Sequence, residues 1–314
     1  MWRLRLVPTV TRFGFMRLRH LCLIASVAMG LGSIGLFFAL GINFGIDFTG
    51  GILIETRAQA ERADLAEMRT KLHGLGIGDV TLQEFGSPRD VLIRIERQEG
   101  AGDAQQKAVE RVRQTLGSAF EYRRVEFVGP QVSEELIKGG VIAVVLAILA
   151  QMVYVWFRFE WEFGLGSVAA LVHDVLLTFG VLTFARFDFN LTEVAAVLLI
   201  IGYSMNDTVV VYDRVRENLR KYKKMPLLEL LDLSVNETLS RTTMTAATTL
   251  IALIPLLIFG GEAIRGFAFT MIWGIFVGTY SSIFIAAAVL VYLDLDKKRA
   301  KRAAAEAASP PATP

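Results

Sequence analysis

The chain has 314 residues, 53% of them hydrophobic, and a mean hydropathy of +0.46, too apolar for an ordinary soluble domain of this length. A formal net charge of +2 leaves no general attraction to nucleic acid. The single cysteine, Cys22, has no partner within the chain, which excludes an internal disulfide framework.

Residues 1–20 carry Arg3, Arg5, Arg12, Arg17 and Arg19 and no acid, and read as a basic tail. An apolar run over 21–43 follows. A signal peptide has a shorter apolar core and a small-residue cleavage site, so this run reads as an uncleaved membrane anchor, transmembrane helix 1.

Residues 44–130 are the one stretch between spans long enough to fold alone. "GGILIETRA" alternates as a strand does. "RADLAEMRTKLHGLG" places Leu65, Met68, Leu72 and Leu75 at helical spacing. "DVTLQEFG" and "DVLIRIE" predict two strands joined at Gly-Ser-Pro. "DAQQKAVERVRQTLG" predicts a helix with Asp103 at its cap and Gly117 at its end, and "EYRRVEFVG" a fourth strand. The order βαββαβ is that of a ferredoxin-like α+β domain, with no catalytic constellation in it.

Five more apolar runs, at about 136–157, 164–184, 191–212, 240–259 and 267–293, fill residues 131–295. The fold class is therefore a membrane α-helical bundle of six transmembrane helices, with one external α+β domain between helices 1 and 2. A basic loop of roughly 25–30 residues is expected between the fourth and fifth spans. Its Arg214, Arg216, Arg220, Lys221, Lys223 and Lys224 match the basic amino-terminal tail and the cluster Lys297, Lys298, Arg299, Lys301 and Arg302. Only Arg186 and Arg265 lie in the short loops opposite, so both termini are expected in the cytoplasm and 44–130 outside it. Residues 296–314 read as a disordered cytoplasmic tail.

A charge near the centre of a spanning helix costs roughly 2.5–3.5 kcal/mol, so ionisable residues there ask for a function. Asp207 lies about 9 Å inside the cytoplasmic end of the fourth span. Counting back by three and four puts Ser204, Ile200, Val197 and Glu193 on its face. Arg241 opens the fifth span at a similar depth, and Thr245, Thr248 and Thr249 follow it as a hydroxyl stripe. Asp207 either pairs with Arg241 to staple helices or carries a proton along this wet path. Pro255 is expected to kink the same helix. Asp174 lies near the middle of the third span beside His173. Adjacent helical residues point about 100° apart, so the two are not expected to act together. For Asp174, with Ser204, a secondary proton relay and simple packing stay open. No His-Glu-x-x-His pattern and no phosphate loop occurs, so neither a zinc enzyme nor an ATPase is expected, and no cofactor or metal.

Four strings, in this order, carry a resemblance: "FGIDFTGGILIE", "HDVLLTFG", "IGYSMNDTVVVYDRVREN" and "LSRTTMTAATTL". Over about 10–295 the chain resembles the SecF subunits of the bacterial SecD–SecF translocase, in the resistance-nodulation-division superfamily. The resemblance implies that Asp207 is the proton-carrying aspartate, Arg241 the arginine beside it and Thr245 the threonine one turn on. It implies a SecD partner holding a second aspartate, in the bacterial cytoplasmic membrane. It also implies a non-enzymatic role: the proton gradient helps draw unfolded preproteins outward after the SecYEG channel and the SecA motor have pushed them. The alternative is a stand-alone proton-driven exporter of small solutes or lipids of the same superfamily. An intramembrane aspartyl protease fits poorly, because Arg241 opposes the shared proton such a dyad needs.

Overall fold

The computed structural model describes residues 11–98, 103–293 and 295. Arg3, Arg5 and the tail 296–314 lie outside the described residues. The anchor is α1 (Arg19–Leu40), entered by a 3-10 turn over Phe15–Leu18. The segment before it is tied down: Met16 is buried and its amide donates to Asp232 Oδ1 at 2.8 Å.

After α1 a short helical turn, α2 (Ile46–Thr49), leads into the external domain. Gly50 and Gly51 then take φ of +70° and +117°, values that L side chains rarely adopt. A Cβ on Gly51 would also stand 2.5 Å from the Ile95 carbonyl oxygen. The pair lets the chain turn sharply from the membrane into β1 (Gly51–Ala58), the second strand in from one edge of the sheet. Helix α3 (Leu65–His73), strands β2 (Val80–Phe85) and β3 (Ser87–Ile95), helix α4 (Asp103–Leu116) and strand β4 (Phe120–Val128) follow. The expected succession of strands and helices is present, and the sheet order is β2-β3-β1-β4 with every neighbouring pair antiparallel.

Alternation explains the sheet's buried face. Ile52, Ile54, Thr56 and Ala58 point inward and meet Met68 and Leu72 of α3 and Val109, Val112 and Leu116 of α4. Asp64 caps α3 by accepting from the amides of Ala66 and Glu67 at 2.9 and 3.0 Å. The opposite face carries Leu53, Glu55, Arg94 and Glu126 over a cleft of about 420 Å³ that the membrane domain closes. Arg94 pairs there with Asp188, which also accepts from Asn43 Nδ2 at 2.5 Å. Asp47 accepts from the Leu191 amide at 2.9 Å, and Phe44 bridges Phe189. The loop before β1 is thus clipped to the loop that opens the fourth span.

The remaining spans are α5 (Pro130–Arg158), α6 (Trp161–Ala185), α7 (Leu191–Lys221), α8 (Leu227–Phe259) and α9 (Gly261–Ser281). The last continues through a π-helical turn, Ser282–Ala286, into α10 (Ala287–Tyr292). Among the described residues, six helices are long and apolar enough to cross a membrane. Helices α7 and α9 are central, whereas α1, α5 and α8 keep most of their apolar surface open.

The connection between the fourth and fifth spans differs from the loop expected of it. The long basic loop between the fourth and fifth spans is mostly helix, and only residues 222–226 connect α7 to α8. Val215 and Asn218 of α7 pack with Leu230, Leu231 and Ser234 of α8, all buried. Asn218 Nδ2 donates to Ser234 Oγ at 3.0 Å and to Glu237 Oε2 at 2.8 Å. An amphipathic hairpin beyond the apolar runs keeps helical periodicity while losing hydrophobicity, so a hydropathy reading ends the spans too early.

Candidate functional site

The central polar cluster is built on close helix packing. Gly274 and Gly278 face α7, where a Cβ on Gly278 would meet Ser204 Cβ at 3.0 Å and one on Gly274 would strike Ile200. Small residues at this seam bring the α7 and α9 backbones together, which inside a membrane is how helices gain contact. The approach puts Ser204 of α7 and Ser281 of α9 on one carboxylate of α6.

That carboxylate is Asp174, fully buried. Its Oδ2 accepts from Ser204 Oγ at 2.5 Å and from Ser281 Oγ at 2.8 Å. Its Oδ1 is hydrogen-bonded to His173 Nδ1 at 2.9 Å. The expectation that His173 and Asp174 would not meet is therefore wrong. Their Cβ directions diverge, but rotation about both χ angles turns Asp174 Oδ1 and the imidazole toward each other. The His173 ring stacks on Tyr280, whose hydroxyl lies 2.9 Å from Ser26 Oγ and donates to the Cys22 carbonyl at 2.8 Å.

Asp207 stands one turn further along α7 and is also buried. Its Oδ1 accepts from Thr242 Oγ1 at 2.5 Å. Its Oδ2 is buried with no hydrogen-bond partner among the described residues. The neighbouring Thr208 hydroxyl lies 2.9 Å from Ser282 Oγ, the first residue of the π-helical turn. Such turns inside α-helices often occur at functional sites. Here the consecutive residues Ser281 and Ser282 reach two different helices.

Arg241 does not pair with Asp207. It is exposed, and its guanidinium makes no hydrogen bond or ion pair among the described residues. Thr245 is exposed as well, and its hydroxyl donates back to the carbonyls of Arg241 at 3.2 Å and Thr242 at 2.9 Å. Thr248 and Thr249 bond their own helix in the same way. The structure thus brings Asp174 and Ser204 together, sets Asp207 beside them, and leaves Arg241 and Thr245 on the open side of α8. Sequence reasoning missed Thr242, Ser281 and Ser282. The run of glycines at 266, 274 and 278 in the last span was the available signal for that seam.

Glu193, at the outer end of α7, is buried and forms a capping box with Asn190, accepting from its amide at 2.9 Å. It shares the face of Ser204 and Asp207 but not their network.

These features define a multi-pass membrane protein with a buried carboxylate cluster and a small α+β domain docked on one end of the bundle. Residues 108–296 match the family model described as protein export membrane protein SecD/SecF, C-terminal, and residues 35–61 match the SecD/SecF GG motif. The chain belongs to this SecD/SecF family, on its SecF side. It is 51% identical to protein translocase subunit SecF of Rickettsia rickettsii over 296 residues, covering 91% of this chain and 94% of that one. It is 46% identical to SecF of Rhodobacter capsulatus, covering 96% of this chain and 95% of that one. The crystal structure of SecDF from Thermus thermophilus superposes with a TM-score of 0.83 at 35% identity, over 93% of this chain and 39% of that longer chain.

Proposed function

We propose that the chain is an auxiliary subunit of a bacterial protein translocase that works with a SecD-type partner. In this reading it converts the proton motive force into help for preprotein export across the cytoplasmic membrane. The observation that carries it is Asp207: a buried carboxylate with one oxygen held by Thr242 and the other unpartnered, next to an arginine held outside the bundle. A carboxylate so placed can hold a proton when dry and release it when a cation reaches it. Arg241 and Thr245 lie on a face of α8 that nothing among the described residues covers. SecDF relatives supply a reason: in Brucella abortus a chain of that name matches this one over only 39% of its own length. The name and additional length of those relatives support a SecD-type subunit closing the open face of α8 here.

Asp207 is the proton carrier in this account, Arg241 the switching cation and Thr245 a hydroxyl on the path. Asp174 and Ser204 serve either as a secondary relay or as the packing node that holds α7 in register. A proton crossing the full membrane potential gains about 2.3 kcal/mol per 100 mV, enough to bias a rocking of helix groups. The clip between the segment before β1 and the loop before α7 would pass such a movement to the external domain. In this reading both termini and the α7–α8 hairpin lie in the cytoplasm and residues 44–130 in the periplasm, which the distribution of basic side chains supports. The SecYEG channel, the SecA motor and an unfolded preprotein complete the assembly. The subunit transduces energy and catalyses no covalent step. The test is gradient-dependent preprotein release from membrane vesicles, comparing wild type with Asp207→Asn. Normal stimulation by the variant would remove Asp207 from the role.

A further inference from the structure

A second cavity, of about 480 Å³, lies where the end of α5 meets the extension of α7 beyond the apolar run. It is lined by Arg158, Asp213, Arg216, Glu217, Arg220 and Lys221. Its four cations outnumber its two carboxylates, and both carboxylates are already engaged. Asp213 binds Arg158 at 2.8 Å and lies 3.9 Å from Arg216, and Glu217 binds Arg214 at 2.8 Å. The guanidinium carbons of Arg158 and Arg216 stand 5.2 and 5.3 Å from the centre of the Phe159 ring. Phe159 is buried and packed edge-on against Tyr212, and Arg216 also donates to the Arg158 carbonyl at 3.1 Å. Two like charges are therefore held on one rigid ring. The Arg220 guanidinium makes no hydrogen bond or ion pair among the described residues. The site has an excess of positioned positive charge and a void beside it.

The surroundings say what kind of anion fits. Trp156, Phe157 and Trp161 are 78%, 89% and 57% exposed beside the cavity. Open aromatic rings at the ends of spanning helices mark the headgroup level of a bilayer. Running from Phe157 down α5, Val153, Leu149, Val145 and Val141 recur every fourth residue and are all exposed. That stripe is about 24 Å long, more than the depth of one leaflet's hydrocarbon, about 15 Å.

We propose that this cavity binds the phosphate headgroup of an anionic phospholipid, with the acyl chains lying on the α5 stripe. A soluble acidic peptide or free phosphate would use the charge and leave the stripe bare. The assignment to the cytoplasmic leaflet rests on the orientation proposed above, but the binding chemistry does not.

The test uses the full chain copurified with its SecD-type partner, in nanodiscs of phosphatidylcholine with or without phosphatidylglycerol. Phosphatidylglycerol is expected to raise the melting temperature by roughly 5 °C. Arg216→Gln with Arg220→Gln should abolish the rise. Arg12→Gln with Arg17→Gln, an equal loss of charge on the same side, should keep it. If the first pair lowers stability in phosphatidylcholine itself, Arg220→Gln alone, which loses no hydrogen bond or ion pair among the described residues, replaces it. Inorganic phosphate added to phosphatidylcholine nanodiscs should give no rise. The proposal is overturned if phosphatidylglycerol has no effect, if both pairs lose the rise equally, or if phosphate reproduces it. Nanodiscs present both leaflets, so an error in the orientation cannot produce a negative result. Thiol labelling of single cysteines introduced in the α7–α8 connector tests the orientation separately.

Discussion

The hydroxyl of Thr242 donates to the carboxylate of Asp207 at 2.5 Å across the packing of α7 on α8. Its neighbour in sequence, Arg241, projects from the open side of the same helix. Consecutive residues of α8 therefore offer Asp207 a neutral donor inside and a charge outside. The two side chains stand about 100° apart around α8, so only one of them faces Asp207 in this arrangement.

Removing the inside donor should separate the two. Thr242→Val is expected to cut gradient-dependent preprotein release by about tenfold, the equivalent of one hydrogen bond to a charged group. Asp207→Asn should abolish that component while leaving insertion and partner binding intact, because a neutral amide enters the membrane more readily than a carboxylate. A Thr242→Val protein with wild-type release would show that this hydrogen bond has no part in the cycle.

At Arg241, charge should matter more than shape. Arg241→Lys should keep partial activity and Arg241→Met nearly none. Asp207→Asn combined with Arg241→Met should be no worse than either alone, since both disable one step. Release assayed at several external pH values checks this. Clearly additive defects would place the two residues in separate steps.

Asp174 organises three helices, so its loss should appear first as instability. Asp174→Ala leaves Ser204, Ser281 and His173 without their shared acceptor and should destabilise the bundle by about 3 kcal/mol. Asp174→Asn keeps one acceptor oxygen and should be milder in thermal melts. A fully stable Asp174→Asn protein with no export stimulation would instead identify Asp174 as part of the relay.

The seam between α7 and α9 should tolerate no added bulk. Gly278→Leu must displace Ser204 and is expected to cost about 1–3 kcal/mol or more. Gly139→Leu, on α5 with open space around it, should be nearly neutral by the same melt.

The external domain has its own core and should fold when residues 44–130 are expressed alone, with a cooperative thermal transition. Its acid stability should depend on Asp90. The hydrogen bonds from Arg57, at 2.6 and 2.7 Å, hold the Asp90 carboxyl at about 2, below the ordinary carboxylate value near 3.9. The pair's contribution is thus fully present above about pH 4 and is lost as pH falls through about 2. Melting temperatures between pH 5 and pH 2 should drop more for wild type than for Asp90→Asn. Equal slopes would mean that the pair adds nothing.

Composition and periodicity alone determined six spans, the external domain, the order of its strands and helices, and Asp207 as the residue to explain. These follow from local rules: apolar runs of bilayer length, alternation of two in strands and three to four in helices. The extent of α7 and α8 beyond the apolar runs escaped, because hydropathy stops at the charges while helical packing of Val215 on Leu231 does not. The partners of the buried carboxylates escaped for a different reason. Whether Asp207 meets Arg241 or Thr242 depends on the rotation of α8 about its axis, a matter of about 100° that no spacing within α8 reveals. That Ser204 and Ser281 share Asp174 depends on how closely two backbones approach at Gly274 and Gly278. Only the tertiary structure decided these, since each is a relation between helices distant in sequence, set by the packing of all of them together.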